Sequence, residues 1–221
     1  MPLEDKLAAI RAGAAAKFPA EIRAVIHQAT AELEASGQAG RARKVGDTAP
    51  DFTLPGPDGK PVALRDLLAN GPLVVTFYRG VWCPFCNAEL QALEEALPEM
   101  RALGASLVAI SPETAANSRK SVRQNELSFP ILTDHGNAVA DAFGLRYRLP
   151  DALIATYKGF GNNLEAVNGE GSWTLPMPGR FVIAPDGRIA YAEVNADYSR
   201  RPEPAEMLPA IRAAAQLRAA A

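Results

Sequence analysis

Cysteine and histidine are the scarcest reactive residues in this 221-residue chain, with two of each. Two cysteines are too few to staple a disulfide-built secreted scaffold. Cys83 and Cys86 are the only thiols and His27 and His135 the only imidazoles, so a four-ligand zinc site lacks its second ligand pair and no metal is expected. Long apolar runs are missing too: none approaches the roughly 20 residues of a membrane span. The opening residues 1–13 carry acids where a secretory signal would carry a basic region ahead of an apolar core. A cytoplasmic location without membrane contact is therefore expected. Nor does the chain have an excess of either charge: 23 Lys+Arg stand against 25 Asp+Glu, so no global field draws nucleic acid. What is present is an apolar fraction of 48%, enough for a substantial core, which excludes a disordered or fibrous chain.

Residues 3–36 are rich in Ala, Glu, Lys and Arg. Leu7, Ile10 and Ala14, then Ile22, Val25, Ile26, Ala29 and Leu33, fall at the spacing of two amphipathic helices, and Pro19 separates them. Residues 37–44 have the composition of a connecting loop. We therefore expect a helical extension and linker over 1–44, serving as a brace or dimer contact, ahead of one domain over 45–221. Beyond Val45, short apolar runs alternate with helical periods, as in strands joined by crossover helices. Strands are expected at 73–78, 106–111 and 129–134. Helices are expected at 87–103, 113–125 and 138–143, with a hairpin over 179–194 turning at Pro185-Asp186-Gly187 and a last helix over about 204–218. The stretch 144–176 shows no clear period and reads as an insertion able to cover or line a site. The fold class is α/β.

The most informative segment is Arg79-Gly80-Val81-Trp82-Cys83-Pro84-Phe85-Cys86, placed where a central strand ends and a long helix begins. Cys83 falls at the helix N-cap and Pro84 at the first helical position, where its missing N–H costs nothing. The helix's positive end favours a thiolate there. Cys86, one turn further on, lies on the same face, close enough to exchange a disulfide with Cys83. Arg79 is the first candidate for local positive charge and Arg180 the second. Trp82 is a candidate shield or docking surface. His135, beside Gly136, reads as an exposed turn residue, and Gly159-Phe160-Gly161 lacks the strand and helix context of a phosphate loop.

Residues 82–86 resemble the active-site turn of the thioredoxin fold, and residues 46–54, Gly-Asp-Thr-Ala-Pro-Asp-Phe-Thr-Leu, resemble the opening of the alkyl hydroperoxide reductase and thiol-specific antioxidant family, the peroxiredoxins. Segments 129–134, 137–144 and 181–187 extend the resemblance to about residue 218. It implies a thioredoxin-like fold, a central mixed sheet flanked by helices, carrying the helical extension at its start. Two registers fit the turn. The peroxiredoxin register puts Arg79 at a proline, Cys83 at a threonine, Cys86 at the peroxide-attacking cysteine, and Glu89 at an acid that follows it. The thioredoxin register makes Cys83 the nucleophile and Cys86 its resolving partner. At the place where peroxiredoxins carry an arginine before the Phe-x-Ile strand, this chain has Pro178, beside Arg180. Pro178 in turn matches the cis-proline that faces the Cys-x-x-Cys turn in thioredoxin-like proteins.

The resemblance implies a thiol peroxidase without cofactor. A thiolate reduces a hydroperoxide, becomes a sulfenic acid and condenses to a Cys83–Cys86 disulfide, which a thioredoxin-like or small-thiol reductant reopens. Cys83, Cys86, Arg79 and Arg180 are the expected catalytic residues; Trp82, Pro84, Phe85 and Pro178 are the expected substrate-binding ones. The alternatives are a thiol–disulfide oxidoreductase acting on protein or small-molecule disulfides and a redox-switched interaction module.

Overall fold

The computed structural model describes residues 1–219, with side chains through residue 216. Helices α1 (Leu3–Lys17) and α2 (Ala20–Ala35) open the chain, and Pro19 stands at the N-cap of α2. A short hairpin follows, β1 (Thr53–Pro55) with β2 (Pro61–Ala63), then α3 (Leu64–Leu68). The central unit comprises β3 (Leu73–Phe77), α4 (Pro84–Ala102), β4 (Ser106–Ser111), α5 (Ala115–Gln124), β5 (Ile131–Thr133) and α6 (Ala138–Ala142). Next come β6 (Arg146–Arg148), α7 (Asp151–Gly159), α8 (Leu164–Asn168) and β7 (Thr174–Pro176). The hairpin β8 (Gly179–Ile183) and β9 (Ile189–Val194) leads through a 3-10 turn at Pro204–Met207 into α9 (Leu208–Ala219).

The five-stranded sheet runs in the order β5-β4-β3-β8-β9, with β3, β4 and β5 parallel and β8 and β9 antiparallel to their neighbours. This is the expected mixed sheet. Every residue of β3 and β8 is buried, because helices or loops cover both faces. The two-residue side-chain period then divides the core. Val74, Ala109 and Val182 pack with Leu90, Leu93 and Leu97 of α4 and with Met207 and Ile211. Leu73, Val75, Phe77, Phe181 and Ile183 face the other way, toward Phe52, Leu64 and Phe143. On that side the Phe77, Phe143 and Phe181 rings meet at centroid distances of 4.9–6.0 Å.

The leading helices lie where their apolar stripes send them. Leu3 and Leu7 are fully buried against the α4 side of the sheet, with Ile10 packed behind them. On α2, Val25, Ile26 and Ala29 pack against the segment after Gly144. That segment is more ordered than its sequence suggests. β6 and β7 pair antiparallel and enclose α7 and α8, whose nine and five residues are too short to show a helical period. A second correction concerns Glu113, expected at the start of a polar helix: α5 begins at Ala115, and Glu113 turns inward, fully buried. The strand expected at 129–134 is trimmed to Ile131–Thr133. Among the described residues no helix is long and apolar enough to cross a membrane.

The loop joining the leading helices to the sheet is pinned. The Arg43 N–H donates to the Phe143 carbonyl at 3.0 Å, and the Gln38 side chain donates to the Arg146 carbonyl at 2.6 Å. At Gly144 φ is +79°, and an added Cβ would sit 2.9 Å from the Ala42 Cα, a backbone atom that cannot swing away. Gly144→Ala should therefore cost about 1–3 kcal/mol in urea unfolding from backbone strain. Leu7→Ala should cost about 2–5 kcal/mol as a core truncation. A Leu7→Ala protein as stable as the parent would show that α1 contributes nothing to the folded unit.

Candidate active site

Strand β3 delivers its last residues to one point. The Tyr78 N–H donates to the Ile110 carbonyl at 3.1 Å, still in ladder geometry, and the chain then turns through Arg79 and Gly80. Gly80 has φ +143°, and a Cβ there would lie 2.5 Å from the Trp82 Nε1, so only glycine fits under the indole. The Cys83 N–H donates to the Gly80 carbonyl at 3.0 Å, closing the turn. Cys83 is the N-cap of α4, in extended backbone with φ −91° and ψ 111°, and Pro84 is the first helical residue, as the sequence predicts. The Asn87 side chain clamps the turn from within the helix, donating to the Val81 carbonyl at 2.8 Å.

Both cysteines are free thiols and both are buried, Cys83 at 1% exposure and Cys86 at 0%. Burial alone would raise both. For Cys83 it is outweighed by the hydrogen bond from the Cys86 thiol and by the charges of Arg79 and Arg201, which bring its pKa down to about 6. Burial and the neighbouring Cys83 charge push Cys86 the other way, well above the ordinary thiol range. The surroundings thus push the two sulfurs in opposite directions, favouring the thiolate at Cys83 and the protonated thiol at Cys86.

Arg79 is buried at 1%, which is unusual for a residue entering a loop. Its guanidinium carbon lies 4.0 Å from the Tyr198 ring centroid, 4.9 Å from Trp82 and 5.9 Å from Tyr157, and it also donates to the Tyr157 hydroxyl. Among the described residues no carboxylate pairs with it. Tyr157 comes from α7 and Tyr198 from the loop after β9, so three distant segments build this cage. Tyr157 also packs edge-on to Trp82 at 5.3 Å.

Arg180 is equally buried but is placed differently. It donates to Glu89 Oε1 at 2.8 Å, while Arg201 donates to Glu89 Oε2 at 2.6 Å. Arg201 Nη2 lies 3.8 Å from Cys86 Sγ, and its Nη1 donates to the Tyr198 and Arg200 carbonyls. Arg180 therefore reaches the thiols only through Glu89 and Arg201. Sequence reading missed Arg201, which sits in an irregular segment far along the chain with no motif around it. It also missed Tyr157, in a helix too short to show a period, and Tyr198, which shares the irregular segment of Arg201.

Trp82 is half-buried and Pro84 exposed, whereas Phe85 is buried at 7% and packs edge-on against Tyr198 at 5.6 Å. Pro178 is buried at the entry to β8, but among the described residues no peptide bond is cis, so the expected cis geometry is corrected. Its carbonyl is occupied in the sheet hairpin, accepting from the Asn195 N–H at 3.4 Å. Beneath the turn, Glu113 accepts hydrogen bonds from the Val81 N–H at 2.8 Å and the Tyr78 hydroxyl at 3.0 Å. His135 is exposed, as expected of a turn residue, and no group of metal-ligating side chains occurs among the described residues.

A profile of the AhpC/TSA family matches residues 45–192. The Mycobacterium tuberculosis protein named "Putative peroxiredoxin MT1643" is 34% identical over 111 residues, 50% of this chain and 72% of that protein. The thiol-disulfide oxidoreductase ResA of Bacillus thuringiensis is 28% identical over 147 residues, 66% of this chain and 67% of that protein. The crystal structure of Peroxidoxin BcpB from Mycobacterium tuberculosis superposes with a TM-score of 0.60 at 26% identity, covering 77% of this chain and 97% of that one. The profile takes in the paired cysteines, Arg79, Glu89 and Arg180 and stops short of Arg201, and on this match the chain belongs to the AhpC/TSA family.

Proposed function

We propose that this chain is a thiol peroxidase in which Cys83 attacks the hydroperoxide and Cys86 resolves the product. The observation that carries the assignment of roles is the place of Cys83 at the N-cap of α4, where the Cys86 thiol and the charges of Arg79 and Arg201 favour its thiolate, while burial and the neighbouring sulfur favour the protonated Cys86. The thiolate displaces on the O–O bond of the hydroperoxide, leaving a Cys83 sulfenic acid and an alkoxide that is protonated to the alcohol. The Cys86 sulfur then attacks Cys83, water departs, and the disulfide forms one turn into the helix. A thioredoxin-like dithiol or small thiol restores the pair. Relatives named as peroxiredoxins support this reaction class.

Arg79 is the cation fixed beside the thiolate, and Arg201 takes that place beside Cys86. The part given to Arg180 is to hold Glu89, which in turn orients Arg201. Exposed Pro84 and half-buried Trp82 form the accessible rim for substrate or reductant, while buried Phe85 and Pro178 shape the turn from within. Residues 1–44 serve as a brace on the domain over 45–221, and a pair of working thiols fits a cytoplasmic setting.

A second reading, exchange with protein or small-molecule disulfides, is favoured by the likeness to ResA. It shares both sulfurs and differs in the oxidant. Stopped-flow mixing of the reduced protein with stoichiometric hydrogen peroxide, followed by tryptophan fluorescence from Trp82, should show oxidation far faster than that of a free thiol. Oxidation no faster than that, with rapid reduction of insulin disulfides, would favour exchange instead. Cys86→Ser should accumulate a dimedone-trapped sulfenic acid on Cys83, and Cys83→Ser should form none; the reverse pattern would exchange the two roles. The rate with peroxide should rise with pH through about 6, as Cys83 ionises, and level off above it. Arg79→Met should move that midpoint upward by about one unit or more, by removing a facing cation; an unmoved midpoint would show that Arg79 does not hold the thiolate.

A further inference from the structure

Among the described residues, Glu113 is the one fully buried carboxyl at the site that the sulfur chemistry above leaves unused. It sits just beyond the end of β4, at 0% exposure, under the turn that carries Cys83. Val81 of that turn donates to its Oε1 and Tyr78, at the end of β3, donates to its Oε2. A Cβ on Gly80 would lie 3.1 Å from Oε1, so the turn rests directly on the carboxyl group. Among the described residues no cation pairs with it, and a buried carboxylate without a cation is costly. The titratable groups that face it are Tyr78, just past β3, and Cys83 from the turn, with the hydroxyls of Ser111 from β4 and, through Tyr78, Ser121 from α5.

We propose that Glu113 holds the proton that balances the Cys83 thiolate, carrying it while the pair is reduced and giving it up as the disulfide forms. The inference rests on the peroxidase reading above and adds its proton inventory. Burial first, and then the facing Cys83 charge, push the Glu113 carboxyl up to about 7, against the pull of hydrogen bonds from Val81, Tyr78 and Ser111. A neutral carboxyl is accommodated in place: it donates to the Tyr78 oxygen, and the Tyr78 hydroxyl turns to Ser121 or Ser111. The disulfide removes the facing negative charge, and with it one reason for Glu113 to stay neutral.

The balance closes. One hydroperoxide, the Cys83 thiolate, the Cys86 thiol and the neutral Glu113 carboxyl become the disulfide, one alcohol, one water and the Glu113 carboxylate. The O–O bond breaks, the S–S bond forms, the sulfurs lose the two electrons that the peroxide gains, and one negative charge stands on each side. In the return step a dithiol reduces the disulfide, and its two protons go to Cys86 and Glu113. Glu113 acts through the turn rather than by touching the peroxide, so it is a positioning residue for charge.

The test is proton uptake on oxidation. Reduced protein is mixed with one equivalent of hydrogen peroxide in weakly buffered indicator solution at a pH midway between 6 and 7, where most of Cys83 is ionised and most of Glu113 neutral. Disulfide formation is counted in the same samples from the two-dalton mass loss. The wild-type protein should draw little proton from solvent, because Glu113 supplies it. Glu113→Gln keeps an oxygen for the Val81 N–H and has no proton to give, so it should take up close to one further proton per disulfide. Glu113→Asp should behave as wild type. Equal uptake by wild type and Glu113→Gln would overturn the proposal, whereas absence of the mass loss in wild type would overturn the peroxidase reading instead. Should the Gln variant not fold, the wild-type infrared difference spectrum decides: a protonated carboxyl band lost on oxidation supports the proposal, and no such loss overturns it.

Discussion

The site depends on a guanidinium that is out of water and, among the described residues, has no carboxylate partner. Arg79 is enclosed by the Trp82, Tyr157 and Tyr198 rings, whose π faces offer it partial compensation. Removing a full charge from water is expensive unless an opposite charge stands nearby. The Tyr157 and Tyr147 oxygens and the Cys83 sulfur face Arg79, and its charge in turn favours the thiolate form of Cys83. Arg201 adds to the same field from the Cys86 side. Glu89, already divided between Arg180 and Arg201, does not cancel the charge of Arg79.

Much of the surrounding structure keeps that arrangement dry. The segment between β6 and β7 supplies Tyr157 and is itself held by the apolar stripe of α2. The loop after β9 supplies both Tyr198 and Arg201, and Asp197 organises it through its hydrogen bonds to Ser199 and its ion pair with Arg200. The leading helices are thus linked by packing to the chemistry without carrying any of it. Where the turn meets the sheet, polar groups replace apolar ones: Tyr78 and Glu113 occupy a position that a simple core would fill with aliphatic side chains.

The regular parts of the fold were legible because each rests on a local rule. Strands β3 and β4 read as largely apolar runs, and β8 as the apolar run after Arg180, because both of their faces are covered. The stripes of α1 and α2 appeared at helical spacing, and Leu7 and Val25 are indeed inward-facing. The hairpin between β8 and β9 was marked by Pro185-Asp186-Gly187, with Gly187 at φ +83°. The same logic failed for residues 144–176, where the elements are too short for any period to emerge. It also failed at Glu113, where a polar run concealed one acid that points into the core.

Sequence alone determined the strand-to-helix junction, the two sulfurs at its start and the family resemblance, since all of these reside in contiguous residues whose spacing carries the geometry. It named Arg79 and Arg180 but left open which sulfur attacks, because spacing along a helix cannot say what faces each thiol. Only the tertiary structure brings Arg201, Tyr157, Tyr198 and Glu113 to the turn from separate segments. Charge and burial at a sulfur are sums over neighbours in space, and the chain's linear order does not contain that sum.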